Sequence, residues 1–212
     1  MDMANTNHLR FNDAAPDLEL LDAAGKPVRL SALWKKQAIL LAFARHFGCP
    51  QCRQMVTMLA GAAKDMKTGG VLPVIITQAT PKEAGAFGRK YARGLLCLSD
   101  PERSSYAAYG LERANIFQTF LSPRVWASNA RLRREKGWRT ELPPRGQDAR
   151  QMAGIFVIGR DGRIHLPYYY DDIADHPPLD LLLHGVLGVN WRKPLEKPVV
   201  PAHIRSKVRN RK

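Results

Sequence analysis

The apolar positions of the chain fall into short uninterrupted runs separated by amphipathic stretches. Ala38-Ile39-Leu40-Leu41-Ala42-Phe43-Ala44 has no polar residue and reads as a strand buried on both faces. After a short turn, Met55, Val56, Met58, Leu59 and Ala62 recur at helical spacing. They predict a helix over about 50–67, ended by Gly69-Gly70. Val71 to Thr77 is a second buried strand, with Pro73 awkward near its start. Thr80-Pro81-Lys82-Glu83 opens a helix to about Arg93, stopped by Gly94. Leu95 to Leu98 is a short strand. Asp100-Pro101-Glu102-Arg103 opens a further helix through Tyr106 and Tyr109, with Asp100 as its cap and Gly110 as its end. Gly154 to Ile158 is a strand, Arg160-Asp161-Gly162-Arg163 a hairpin turn, and Ile164 to Tyr170 the return strand. Pro177-Pro178-Leu179 to Leu187 is a closing helix. Near the start, Asp17 to Leu30 reads as a β-hairpin turning at Gly25, and Ser31 can cap a short helical turn through Trp34.

Strands alternating with helices predict parallel crossovers, and the late hairpin adds antiparallel strands. The expected fold is α/β: a thioredoxin-like three-layer sandwich, a mixed β-sheet with helices on both faces and an N-terminal β-hairpin. One domain covers 16–189. Residues 1–15 are polar and expected to be loose. Residues 111–150 break the rhythm with Phe117, Phe120, Trp126 and Trp138 among many arginines, and read as a helical insertion followed by a loop. Residues 190–212 form a basic tail.

Composition narrows the class. At 45% hydrophobic and 25% charged the chain fits a soluble globular protein. It has no apolar run long enough to span a membrane, and residues 1–20 lack the apolar core of a signal peptide. Three cysteines suit a reducing cytoplasm better than a disulfide framework. The formal charge of +14 is uneven, with +5 in residues 111–150 and +7 in 190–212. That tail can make weak contacts with polyanions, but it lacks the aromatic interleaving of a single-strand binder.

The candidate chemistry lies in Arg45-His46-Phe47-Gly48-Cys49-Pro50-Gln51-Cys52-Arg53, where a strand turns into a helix. Gly48 supplies the turn and Pro50 fits the first helical position. A Cys49 thiolate there faces unpaired N–H groups and the positive end of the helix dipole, which lower its pKa. Cys52, nearly one turn on, is placed to attack an oxidised Cys49. A zinc site would need a second ligand pair, and none follows; two buried structural cysteines are the other alternative. Arg45 and Arg53 can hold a thiolate or face solvent. His46 can donate to an oxyanion, act as a base, or simply pack. Cys97, in a strand, reads as core, and Arg103 as part of a helix start.

Four stretches together resemble the peroxiredoxin-like branch of the AhpC/TSA antioxidant superfamily. They are Phe43 to Arg53; Leu98 to Arg103 with Tyr109-Gly110-Leu111; Gly154 to Ile158 with Asp161-Gly162; and Asp175-His176-Pro177-Pro178. The resemblance spans about residues 15–188. It implies a thiol oxidoreductase without metal or organic cofactor, acting on a peroxide or disulfide. Cys49 would be the nucleophile, Cys52 the resolving thiol, and Arg45 and His46 their catalytic neighbours. An external thiol, such as a thioredoxin-type protein, would reduce it. The chain departs from the family pattern at three positions. Ala42 and His46 stand where a Pro and a Thr precede the first cysteine, and Ala153, with Arg150 nearby, stands where an Arg precedes the strand at 155–158. The competing expectation is a thioredoxin-fold binding module without efficient turnover, acting through its basic insertion and tail.

Overall fold

The computed structural model describes residues 8–115 and 122–184. Among these the strands β1 (Glu19–Leu21), β2 (Pro27–Arg29), β3 (Ala38–Phe43), β4 (Val71–Thr77), β5 (Leu96–Ser99), β6 (Gly154–Ile158) and β7 (Ile164–Tyr169) form one mixed sheet. Its order is β2-β1-β5-β4-β3-β6-β7. β3, β4 and β5 run parallel, while β1, β6 and their outer neighbours pair antiparallel. The helices are α1 (Leu30–Trp34), α2 (Pro50–Thr68), α3 (Pro81–Tyr91), α4 (Ser104–Ala108), α5 (Pro123–Lys136) and α6 (Leu179–His184).

Every residue of β3 is buried because the strand is covered on both faces. Leu40, Ala42 and Ala44 pack with Met55, Leu59 and Met66 of α2, Phe87 of α3, Val125 of α5 and Leu182 of α6. Ile39, Leu41 and Phe43 point the other way, to Leu30 and Trp34 of α1 and Tyr106 of α4, with Tyr109 just beyond. The alternation of one strand thus builds both cores, and the three-layer α/β expectation holds. It also fixes the site: α2 starts at the C-terminal end of the central strand β3.

Several local expectations change. Residues 8–15 are not loose. Asn12 and Ala15 donate to the Ile164 and Gly162 carbonyls, the Ile164 N–H donates to Asp13 O, and His8 stacks on Tyr169. Ser31 lies inside α1 rather than capping it; Arg29 is the N-cap residue, and the Ser31 N–H donates to Asp17 at 2.9 Å. The helix expected from Asp100 begins only at Ser104, after Arg103 adopts a left-handed conformation (φ 59°). The Asp100 carboxylate still accepts the Ser104 and Ser105 N–H groups, at 3.1 and 2.8 Å. The insertion holds α5, which buries only Val125 and Leu132 and leaves Trp126 60% exposed. Phe117, Phe120, residues 185–189 and the tail 190–212 lie outside the described residues.

Candidate active site

Cys49 is the residue immediately before α2, with extended backbone (φ −84°, ψ 117°), and Pro50 is the first helical position. Its N–H donates to His46 O at 3.1 Å, closing the turn. Gly48 is needed for a reason other than the turn. A Cβ there would lie 2.3 Å from Glu141 O and 2.7 Å from Leu142 O. A strap of residues 140–143, from the loop after α5, presses its backbone onto Gly48, and the Glu141 N–H donates to Gly48 O at 2.9 Å. Only glycine permits that approach.

Both thiols are free and buried, Cys49 being 1% exposed. The Arg45 guanidinium reaches Cys49 Sγ at 3.5 Å through Nη1. Its Nε donates to Gln151 O at 3.0 Å and its Nη2 to Ala149 O. The Arg45 backbone N–H donates to Cys52 Sγ at 3.3 Å. Gln78 fixes this turn from the end of β4, its Nε2 donating to Arg45 O and, at 3.0 Å, to Asp148 O. The consequence for the two sulfurs is opposite. A hydrogen bond from Cys52, opposed by burial and helped by the Arg45 charge, brings Cys49 down to about 6. Burial and the hydrogen bond to Cys49 hold Cys52 well above the ordinary thiol range.

A pocket of about 260 Å³ opens over Cys49, between the start of α2, α5 and the strap. Arg45 and His46 also line it, so the structure brings all four sequence-picked residues to one place. His46 is buried, its Nδ1 has no partner among the described residues, and burial with the Arg45 and Arg53 charges lowers its pKa to about 4. It is therefore a neutral imidazole at pH 7 and a weak base. Arg53 does not face solvent and does not bond Cys49. It grips Glu141 bidentately at 2.9 and 2.8 Å and donates to Phe47 O at 3.1 Å. Phe47 stacks on Phe87 at 4.1 Å, and Tyr91 and Trp138 continue the aromatic column. Arg103 donates to Gly146 O, and Arg150 is exposed with its Nε on Ala114 O. Cys97 packs beneath α3, where burial raises it to about 11.

Sequence reasoning missed Gln51, Asn129 and Glu141. Gln51 Oε1 accepts from Cys49 Sγ at 3.3 Å, and Gln51 Nε2 donates to Asn129 Oδ1 at 2.7 Å. Gln51 occupies the variable position of the motif, which carries no signal of its own. Asn129 and Glu141 carry no local signal, because their partners are 78 and 88 residues away.

A model described as "AhpC/TSA family" matches residues 11–166. The mouse protein Peroxiredoxin-like 2C is 27% identical over 194 residues, covering 88% of this chain and 84% of its own length. The Arabidopsis thaliana protein "Thioredoxin-like protein AAED1, chloroplastic" is 28% identical over 180 residues, covering 81% of this chain and 71% of its own. Among solved structures, Peroxidoxin BcpB from Mycobacterium tuberculosis superposes with a TM-score of 0.61 at 20% identity, over 83% of this chain and 95% of that one. At that identity the superposition speaks for the thioredoxin-like fold alone.

Proposed function

The chain belongs to the AhpC/TSA family, and from that premise we propose that it is a thiol peroxidase using Cys49 as nucleophile and Cys52 as resolving thiol. The observation that carries this is the Arg45 guanidinium against a Cys49 sulfur at the mouth of α2. Arginine stabilises the thiolate and, in the transition state, the charge spreading onto the peroxide oxygens. Family members carry this guanidinium on a residue just before the strand equivalent to β6. Here Arg45 extends from the end of β3 to the carbonyls of Ala149 and Gln151, in the segment leading into β6. In this reading Arg45 supplies that charge from a different position in the chain.

In the first step the Cys49 thiolate attacks one peroxide oxygen and the O–O bond breaks. An S–O bond forms, and the other oxygen leaves as alcohol or water once it takes up a proton. Cys49 becomes a sulfenic acid. The Cys52 thiol then loses its proton and attacks the Cys49 sulfur. The S–OH bond breaks, water leaves, and a Cys49–Cys52 disulfide remains. An external dithiol of the thioredoxin type returns both to thiols. Three cysteines, two of them in one Cys-Pro-x-Cys, suit a reducing compartment such as the cytoplasm better than a disulfide framework.

Between the two oxidant classes, burial favours peroxide. Cys49 sits under the strap in a small pocket, which admits a hydroperoxide more readily than a protein disulfide. Adding one equivalent of hydrogen peroxide to the reduced protein, with rapid acid quench and peptide mass analysis, tests the reading. A fast intramolecular Cys49–Cys52 disulfide is the expected product. Oxidation no faster than that of a free thiol, or no loss of Cys49, overturns it.

A further inference from the structure

Gln51 occupies the variable position of the Cys-Pro-x-Cys motif and is 1% exposed, so its amide must be satisfied by protein. Among the described residues its amide bonds two groups. Its oxygen faces the Cys49 sulfur at 3.3 Å and its nitrogen faces Asn129 Oδ1 on α5 at 2.7 Å. That orientation suits a protonated Cys49, whose S–H can donate. A thiolate can only accept. When Cys49 ionises, the Gln51 oxygen would be left against a negative sulfur. Turning the amide over presents its NH2 to the thiolate, but its oxygen then meets Asn129 Oδ1. The conflict vanishes if Asn129 turns over as well and donates its own NH2. Each amide has a donor end and an acceptor end, so the chain Cys49–Gln51–Asn129 reverses direction without losing a bond.

We propose that Gln51 and Asn129 form a two-amide relay that reverses with the ionisation of Cys49, making Asn129 a positioning residue that sets the nucleophile from α5. The proposal rests on the reading of Cys49 as the reacting thiol. It requires an amide at 129. A carboxylate accepts only, so it would hold the Gln51 oxygen on the sulfur and oppose the thiolate.

The test is a double-mutant cycle read by the pH dependence of Cys49 alkylation with iodoacetamide, by peptide mass, in the full chain. Asn129→Asp is compared in the wild-type background and in Gln51→Ala. The other charged or titratable groups around Cys49 and Gln51 include Arg45, His46, Cys52, Arg53, Tyr170 and Glu141, with His176 against the Gln51 backbone. They are present in both legs and cancel. The new charge alone raises the Cys49 pKa in both backgrounds. The relay adds a further rise in pKa only where Gln51 is present, read as a fall of about tenfold or more in the thiolate fraction below the midpoint. Equal shifts in the two backgrounds overturn the relay. Asn129→Leu supplies a second arm should the acidic variant fold poorly: its effect on the Cys49 profile should disappear in Gln51→Ala, and an effect of the same size there also overturns it. The coupling is a difference, so it decides the relay whatever the absolute pKa of the unmutated protein. That absolute value bears separately on the nucleophile reading.

Discussion

The two cysteines of one turn differ because their surroundings differ, and the difference is measurable. Cys49 stands before α2 beside the Arg45 charge, with its pKa near 6; Cys52 lies in the first turn of α2, where burial and the hydrogen bond to Cys49 hold it far higher. The reactive species is the thiolate, so alkylation and peroxide reduction should level off above pH 7 and fall about tenfold per pH unit below 6. Cys49→Ser should abolish turnover. Cys52→Ser should permit one oxidation and trap the sulfenic acid. Arg45→Met removes the charge and the guanidinium contact, so the Cys49 midpoint should rise by about 1 unit or more. It also strips donors from Ala149 O and Gln151 O, at a cost of about 1–3 kcal/mol in stability by denaturant melt. An Arg45→Met protein with an unmoved Cys49 profile would remove Arg45 from the mechanism. The substitution of His46 for the family's threonine has a physical reading too. A neutral imidazole, its Nδ1 buried and without a partner among the described residues, lines the pocket without adding charge.

At the scale of elements, the strand that carries the site was legible because it is apolar throughout, which a central strand covered on both faces must be. The cysteine turn was legible for the same reason: it had nowhere to be but the end of that strand. The start of α4 was not, because Asp100-Pro101 offers a cap whether the helix follows at once or, as here, after a left-handed Arg103. Nor was the strap, since Gly48 announces a turn in sequence while its structural task is to let the Glu141 and Leu142 carbonyls approach. That task can be checked. In Gly48→Ala the new methyl meets backbone on the strap rather than a side chain that could swing away, and the strap must lift. Stability should fall by about 1–3 kcal/mol. Alkylation of Cys49 by a bulky maleimide should speed up relative to iodoacetamide, because the lid over a buried sulfur has loosened. Glu141→Gln, which weakens the bidentate grip of Arg53 but keeps the backbone contact, should show the same selectivity change to a smaller degree. Unchanged reagent selectivity in Gly48→Ala would mean that the strap does not control access.

For the molecule as a whole, the buried titratable groups tie the fold to pH with a predictable sign. His46 and His176 are each lowered to about 4, chiefly by burial, against an ordinary value near 6.5. The folded state therefore binds fewer protons than the unfolded chain between those values. Their stabilising effect is complete above about pH 6.5 and is lost as pH falls toward 4. Cys49 acts in the same direction over a higher window. Its folded value of about 6 lies below the free-thiol value of about 8.5, so stability rises across that interval as the unfolded chain alone still holds the proton. Cys52 acts in the opposite direction. Its raised value makes the folded state keep a proton that the unfolded chain gives up above about pH 8.5, so stability declines from there. The melting temperature should therefore climb from pH 4.5 through pH 6 to a maximum near pH 8, then fall. Each pKa unit is about 1.4 kcal/mol, and about 1 kcal/mol moves the midpoint of a domain this size by roughly 2–4 °C, so the histidine step and the Cys49 step each span several degrees. The steps separate by substitution. Cys49→Ser should flatten the climb between pH 6 and 8 while leaving the acid step, and His46→Gln should shrink the acid step alone. Calorimetric scans of the three proteins across this range decide it. A Cys49→Ser protein that keeps the full climb between pH 6 and 8 would show that the folded molecule holds no thiolate there.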